Sequence, residues 1–342
     1  MKILLAGDGF VLNDLLEREI TTVLSIKCEI SKIVLPWPAI PFVPVADVDE
    51  ASGSEDEIIR VIRDAEVIVT QMAPLTARVF AAARALKLVI CTRGGPVNVN
   101  LRAATERGIA VCSTPGRNAV AVAEYTLLLI LAALRRLPEA HTSLAGGQWR
   151  SGLYAYSESG GEIAGSVVGI VGLGEIGRRV AASVRAMGAT VVAHDPYATN
   201  SDGVELVALG ELLDRADIVT LHARLTPETR HMIGAAELTR IRAGGILVNT
   251  ARGGLLDYDA ALRALASGRL AALALDVFPE EPVPATWPLL RARGVVLSPH
   301  LAGATRQTAA RAAATAANEV DRYARGEPLM HVVNGIQPRV RR

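Results

Sequence analysis

Three residues of this chain stand where their types could act together: Arg252, Glu281 and His300. Each follows a short apolar run that reads as a strand, at 246–251, 273–278 and 295–297. In open α/β sheets, ligands sit outside the carboxyl ends of the strands, so one sheet would deliver all three to one edge. Their chemistry is complementary. Histidine titrates near neutrality and carries protons. A carboxylate beside it raises its pKa and holds its tautomer. Arginine offers a planar fork that grips a carboxylate and polarises a carbonyl oxygen. Taken singly, each has a plainer reading. His300, in Ser298-Pro299-His300-Leu301-Ala302-Gly303, could be a structural turn histidine. Glu280-Glu281 between Pro279 and Pro282 could be a solvated acidic turn, and Arg252 before Gly253-Gly254 a strand-end cap. His141, His194, His222, His231 and His331 keep the structural reading on their own.

What makes the three more than scattered residues is the stretch 167–177. A mostly β-branched run leads into Gly172, Gly174 and Gly177, in G-x-G-x-x-G spacing, and a helix-like run follows. Gly172 permits a tight strand-to-helix turn. Gly174 lets backbone approach a pyrophosphate, and Gly177 lets the helix pack closely on the strand. The helix N-terminus offers free N–H groups to the anion. A second strand at 190–194 ends at Asp195, 18 residues after Gly177, where a carboxylate can take ribose hydroxyls. Behind a dinucleotide cradle the trio suits oxidation of an alcohol to a ketone, or the reverse, with a nicotinamide as hydride carrier.

The elements that must position these residues alternate along the chain. Strands at 2–7, 67–71, 86–92 and 109–113 are separated by helices at 56–65, 77–85 and 101–107, and the four prolines of 36–44 mark a loop. This alternation implies a parallel sheet covered on both faces. A long apolar helix is predicted over 119–137, ended by Pro138, then a loop over 146–165. A second series has strands at 167–171, 190–194, 217–222, 245–250, 270–277 and 294–297, and an Ala-rich helix over 304–325 closes it. The simplest arrangement inserts a nucleotide domain, 114–303, within a first domain made of 1–113 and 304–342.

Composition agrees with a two-domain α/β protein. The chain has 342 residues, half of them hydrophobic but only 4% aromatic, so Ala, Val, Leu and Ile must build the core. A net charge of +1 gives no sign of a nucleic-acid or membrane surface, and Arg339-Val340-Arg341-Arg342 reads as a solvated tail. The longest apolar run, 125–134, is too short to span a bilayer. Cys28, Cys91 and Cys112 have no metal or redox spacing and suggest a reducing compartment, the cytoplasm. No metal site is expected.

The motifs resemble those of the D-isomer-specific 2-hydroxyacid dehydrogenases. The matching stretches are Gly172-Leu173-Gly174-Glu175-Ile176-Gly177, Val248-Asn249-Thr250-Ala251-Arg252-Gly253-Gly254, Leu275-Asp276-Val277-Phe278-Pro279-Glu280-Glu281-Pro282 and Ser298-Pro299-His300. Order and spacing agree from about residue 86 to 323. The resemblance implies two doubly wound parallel-sheet domains, a Rossmann NAD-binding domain inserted in a flavodoxin-like substrate domain. It implies NAD as cofactor, a small 2-hydroxy or 2-keto acid as substrate and a homodimer, with the long helix at the interface. His300 would be the general acid/base, Glu281 its carboxylate partner and Arg252 the substrate-orienting arginine. Asp195 would bind ribose, Asp276 would stand near the nicotinamide carboxamide, and Glu175, Ile176, His222 and Thr250 would line the cofactor. Arg93, Gly94 and Gly95 fall in the family's substrate loop, whose backbone N–H groups hold the substrate carboxylate.

Departures from the family pattern define further expectations. Asn100 stands where the loop commonly carries Asp, Arg224 where a proline is usual near the adenosine, and Glu175 where Arg is frequent. The loop over 149–165 is longer than usual, and no regulatory domain of the long phosphoglycerate dehydrogenases is expected after the last helix. The charge of Asp195 would repel a 2′-phosphate, which favours NAD over NADP. Arg93 and Arg117, each after a predicted strand, would bring positive charge that suits a phosphorylated or polyhydroxylated acid. The rival reading is an NAD(H)-sensing corepressor-like binding protein without turnover.

Overall fold

The computed structural model describes residues 1–38 and 43–338. Part of the predicted 36–44 loop and the arginine-rich end at 339–342 lie outside the described residues. In chain order the first elements are β1 (Lys2–Gly7), α1 (Asn13–Val23), β2 (Glu29–Val34), β3 (Val43–Val45), β4 (Val48–Ala51) and α2 (Glu55–Ile62). There follow β5 (Val67–Thr70), α3 (Ala77–Ala82), β6 (Leu88–Cys91), α4 (Leu101–Glu106) and β7 (Ala110–Cys112). Next come α5 (Ala119–Leu134), α6 (Leu137–Ala145), β8 (Val167–Val171), α7 (Glu175–Ala186), β9 (Thr190–His194) and β10 (Glu205–Leu206). The series continues with α8 (Leu209–Arg215), β11 (Ile218–Leu221), α9 (Ala235–Arg240), β12 (Gly245–Asn249) and α10 (Tyr258–Ala266). It ends with β13 (Leu270–Leu275), β14 (Val295–Leu297) and α11 (Arg306–Arg325).

These elements form two compact units. The first comprises Met1–Arg117 and Ala304–Arg342. Its sheet runs β2-β1-β5-β6-β7, all parallel, the order of a flavodoxin-like doubly wound fold. Strands such as Val67–Thr70 are buried along their whole length because helices cover both faces. Ile58, Ile62, Val79 and Phe80 of α2 and α3 pack on one face. Leu16 and Ile20 of α1 pack on the other, with Ala309, Ala313, Ala316 and Ala317 of α11. Small alanine side chains let that long helix approach closely.

The second unit is Asn118–Gly303. Its seven parallel strands run β10-β9-β8-β11-β12-β13-β14. Counted from β8, this is the Rossmann order with one strand added at the far edge. The helices α5 and α7 bury apolar residues on one face, and α8, α9 and α10 on the other. Among the described residues, no helix is long and apolar enough to cross a membrane.

Three sequence expectations change here. The apolar run over 119–137 is not one helix. The chain leaves α5 at Leu134, turns at Arg136 in the left-handed region (φ 51°), and restarts as α6 with Pro138 in its first turn. Proline is at home there, where its missing N–H has no intrahelical partner, so it begins a helix rather than ending one. The elements α1 and β2 escape the pattern reading. The N-cap of α1, Leu12, makes no side-chain cap bond, and β2 is a charged edge strand with no fully buried residue. Finally, β3 takes up the last residues of the proline-rich stretch and pairs antiparallel with β4.

Candidate active site

Three neighbouring strands of the second unit carry the chemical trio. Because β12, β13 and β14 are parallel and in register, Leu247 beside Leu273 and Leu273 beside Val295, their carboxyl ends lie side by side. Past those ends come Arg252, Glu281 and His300. Glu281 Oε2 lies 2.7 Å from His300 Nδ1, and Glu281 Oε1 accepts the Phe278 N–H at 2.9 Å. The carboxylate is thereby aimed and the imidazole's Nε2 is left as the outward nitrogen. Burial alone would raise the Glu281 carboxyl. The hydrogen bond and charge of His300, the Phe278 N–H and Arg252 outweigh it and hold Glu281 below the usual range. In return, donating its Nδ1–H to Glu281 raises His300 against the opposing effect of burial. Arg252 is exposed, donates to the Ala251 carbonyl at 2.7 Å, and has no carboxylate paired with it among the described residues.

The supports of this trio come from residues that sequence reasoning did not single out or assigned elsewhere. Asp276 is fully buried. Its Oδ1 accepts the Ser298 hydroxyl at 2.5 Å and the Leu301 N–H at 2.8 Å, its Oδ2 the Ala302 N–H at 2.8 Å, and its backbone carbonyl the His300 N–H at 2.9 Å. One aspartate therefore fixes the whole turn that presents His300. Asn249 holds the Arg252 turn, accepting from Ala251 N–H at 3.0 Å and donating to the Arg252 carbonyl at 2.9 Å. The Tyr258 hydroxyl donates to the Val277 carbonyl at 2.6 Å, and its ring packs with Phe278 and Trp287 under the Glu281 loop. The donors to Asp276 lie up to 26 positions downstream, so no local window of sequence exposes that role.

The glycine motif has the shape its spacing implies. Gly172 has φ 96°, and a Cβ there would meet Ala223 N at 2.6 Å. A Cβ on Gly177 would meet the Gly172 carbonyl oxygen at 2.1 Å, so helix α7 packs directly on the turn. A Cβ on Gly174, by contrast, would point into open space. That opening, at the N-terminus of α7, is where a phosphate can approach bare backbone. Asp195 faces the same turn: its Oδ2 accepts the Leu173 N–H at 2.8 Å and its Oδ1 the Tyr197 N–H at 2.9 Å. Glu175 is exposed and leans to Arg179, 3.7 Å away and one helical turn on. Its carboxylate sits in the first turn of α7, where the helix dipole favours it.

Ile176 is half-buried and packs on the core beneath the sheet. His222 bonds Thr220 Oγ1 through Nε2 at 3.0 Å, while its buried Nδ1 has no partner. Burial pushes its pKa down to about 3, so the ring is neutral. Thr250 donates to the Thr126 hydroxyl at 2.9 Å, because that hydroxyl's own proton goes to the Val122 carbonyl. Arg224 is exposed. The open Gly174 cradle, the oriented Asp195 and the orphaned His222 nitrogen fit a dinucleotide.

In the first unit, Gly94 and Gly95 are exposed after β6, with nothing near a would-be Cβ. Asn98 anchors their loop from within, fully buried and donating to the Ala73 carbonyl at 2.9 Å. Asn100, the departure from the usual Asp, caps α4 by accepting the Ala103 N–H at 2.8 Å. Asparagine caps about as well as aspartate. Arg93 is ion-paired with Glu50.

Residues 127–302, just over half of the chain, match the family model for the NAD binding domain of D-isomer specific 2-hydroxyacid dehydrogenase. The chain belongs to this family. A D-3-phosphoglycerate dehydrogenase of Methanocaldococcus jannaschii is 39% identical over 85% of this chain and 56% of its own length. This chain thus spans little more than half of that relative. A glyoxylate reductase of Korarchaeum cryptofilum is 38% identical over 84% of this chain and 88% of its own. A solved structure from Thermus thermophilus superposes with a TM-score of 0.81 at 30% identity, over 97% of this chain and all of that one. In this member of the family the cradle and the His–Glu pair are carried by the matched NAD binding domain, while the loop at 93–95 lies outside the matched segment.

Proposed function

We propose that the chain is an NAD-dependent D-2-hydroxyacid dehydrogenase that works as a 2-ketoacid reductase. The observation that carries this reading is the Glu281–His300 hydrogen bond of 2.7 Å, on strand ends adjacent to that of Arg252. Arg252 is the substrate-orienting arginine of the second unit, and the backbone N–H groups of Gly94 and Gly95 are the carboxylate-binding groups of the first. His300, kept protonated by Glu281, delivers a proton from Nε2 to the carbonyl oxygen as it becomes a hydroxyl. Asp276 keeps His300 in place. The 172–177 turn takes the pyrophosphate, Asp195 the ribose, and Ile176, His222 and Thr250 line the cofactor; the bound nicotinamide supplies the hydride. The first unit serves as substrate domain and the second as NAD-binding domain.

The relatives' names support an enzyme over a non-catalytic sensor, but one is named for a phosphorylated three-carbon acid and the other for glyoxylate. Steady-state reduction of glyoxylate, hydroxypyruvate and phosphohydroxypyruvate, each with NADH and NADPH, tests the reading. Turnover with NADH at lower concentration than NADPH is expected. Absence of turnover with every acid contradicts it.

Two further parts of the reading concern the assembly. Seven large apolar side chains between 128 and 156 stand exposed: Leu128, Leu131, Leu137, Leu144, Trp149, Tyr154 and Tyr156. Exposed apolar surface of this kind marks an interaction site, and it supports a homodimer formed through α5, α6 and the segment that follows. The free thiols of Cys28, Cys91 and Cys112 suit the cytoplasm.

A further inference from the structure

The carboxyl edge of the first unit's sheet carries a second set of polar groups. Asp8 follows β1, Gln71 follows β5, and Arg93 stands just past β6. Thr114 stands just past β7, with Arg117 a turn beyond. In a sheet of this order the crevice opens where the strand order reverses, between β1 and β5. Asp8 and Gln71 flank that point.

Arg117 is mounted there on a prepared frame. Its Nη1 donates to Gln71 Oε1 at 2.9 Å, and its guanidinium lies 5.8 Å from the centre of the Phe10 ring. Its backbone carbonyl accepts the Arg311 Nε–H at 2.7 Å. The side chain is half-buried, and no carboxylate forms an ion pair with it among the described residues. The neighbouring cation, Arg93, already has Glu50.

Along this sheet edge several polar atoms are unfinished. Asp8, 2% exposed, uses Oδ1 for the Phe10 and Val11 N–H groups and leaves Oδ2 without a partner. The buried hydroxyls of Thr92 and Thr114 have none either. Three of the four buried side-chain atoms that lack a partner among the described residues therefore sit at this edge. Burial, and then the like charge of Arg93, push Arg117 down to about 10. Burial also raises the Asp8 carboxyl, with the charges of Arg117 and Arg93 opposing that rise. A desolvated cation short of negative charge calls for an anion.

The geometry points to Arg117 as a specificity-determining residue that, framed by Gln71 and Phe10, takes a second anionic group, carboxylate or phosphate, on the chain of the 2-keto acid. This rests on the proposed reductase reading and narrows its substrate to acids with an anionic tail. It also reassigns the charge: Arg93 is neutralised by Glu50, so Arg117 does the selecting.

The test is NADH-dependent reduction of glyoxylate, 2-oxoglutarate and phosphohydroxypyruvate by the full chain and by its Arg117→Gln and Arg117→Lys variants. The quantity read is the kcat/KM of each tailed acid divided by that of glyoxylate, a ratio in which any loss of folded protein cancels. The ratio is expected to exceed one for at least one tailed acid. It should fall about 30-fold in Arg117→Gln, as for loss of a charge-assisted pair, and recover in part in Arg117→Lys. The tail whose ratio falls identifies the anion. A native preference for glyoxylate over both tailed acids, or ratios within about 2-fold of native in Arg117→Gln, overturns the inference and leaves the reductase reading standing. Absence of turnover with all three acids overturns that reading and this inference with it.

Discussion

His300 has φ 55°, a left-handed backbone that a residue with a side chain seldom adopts. Such a conformation costs about 1–3 kcal/mol and persists only where the surroundings impose it. The surroundings here are Asp276, whose carbonyl and carboxylate together take up the hydrogen bonds of residues 298–302. Replacing Asp276 by Ala leaves two backbone N–H groups and a hydroxyl without acceptors, a loss of about 3 kcal/mol or more in unfolding free energy. Urea titration measures that loss. In the protein that remains folded by circular dichroism, kcat is expected to fall at least about 10-fold, because the proton donor is no longer held in place. An unchanged kcat would show that His300 keeps its position without Asp276. The candidate residues were legible in the sequence as a group, since Arg252, Glu281 and His300 each follow an apolar run. Their supports were not: the sequence motifs place Asp276 beside the nicotinamide carboxamide and give Asn249 no role, because the partners that reveal their part in the turns are seen only in the fold.

At the scale of elements, three glycines in one motif carry different burdens, and mutation separates them. A methyl on Gly177 would collide with the Gly172 carbonyl, and one on Gly174 would meet nothing. Gly177→Ala is therefore expected to lower stability by about 1–3 kcal/mol, as overpacking does. Gly174→Ala is expected to leave the thermal midpoint within about a degree or two, since a methyl in open space disturbs no packing, while raising KM for NADH by obstructing the phosphate. Differential scanning calorimetry and cofactor titration read the two effects. Equal destabilisation by both substitutions would contradict the assignment of Gly174 to the ligand. Most strands were legible to within a few residues because parallel strands buried on both faces are nearly pure apolar runs, as in Val67–Thr70 and Val167–Val171. The break between α5 and α6 was not, because it depends on the backbone of Arg136 and on which turn of a helix receives Pro138. The edge strand β2 was missed because Glu29, Ser31 and Lys32 are solvent-facing and mask its alternation.

At the scale of the molecule, two sheets of different order each bring polar residues to their own carboxyl edge. If the exposed apolar side chains of α5, α6 and 149–156 meet a second copy, sedimentation should give a dimer mass, and Leu144→Glu with Trp149→Ser should shift it toward monomer. A native monomer at micromolar concentration would contradict that assembly. The proposed reading gives the choice of NAD to Asp195, which the glycine turn itself orients. Asp195→Ser is expected to narrow the gap between NADH and NADPH by about 10-fold or more in KM, through loss of charge repulsion and of a ribose partner. The central claim is that His300 gives the proton because Glu281 keeps it charged. Reduction needs protonated His300, so kcat/KM should hold at low pH and fall as pH rises through the raised pKa of His300. The hydrogen bond that His300 donates to Glu281 is the main cause of that rise, so in Glu281→Gln the fall must begin at lower pH. The pH dependence of kcat/KM for keto-acid reduction, measured for both proteins, is the direct test. A fall displaced toward acid in Glu281→Gln is the predicted result; a fall at the same pH in both, or a rate that climbs with pH, would contradict it.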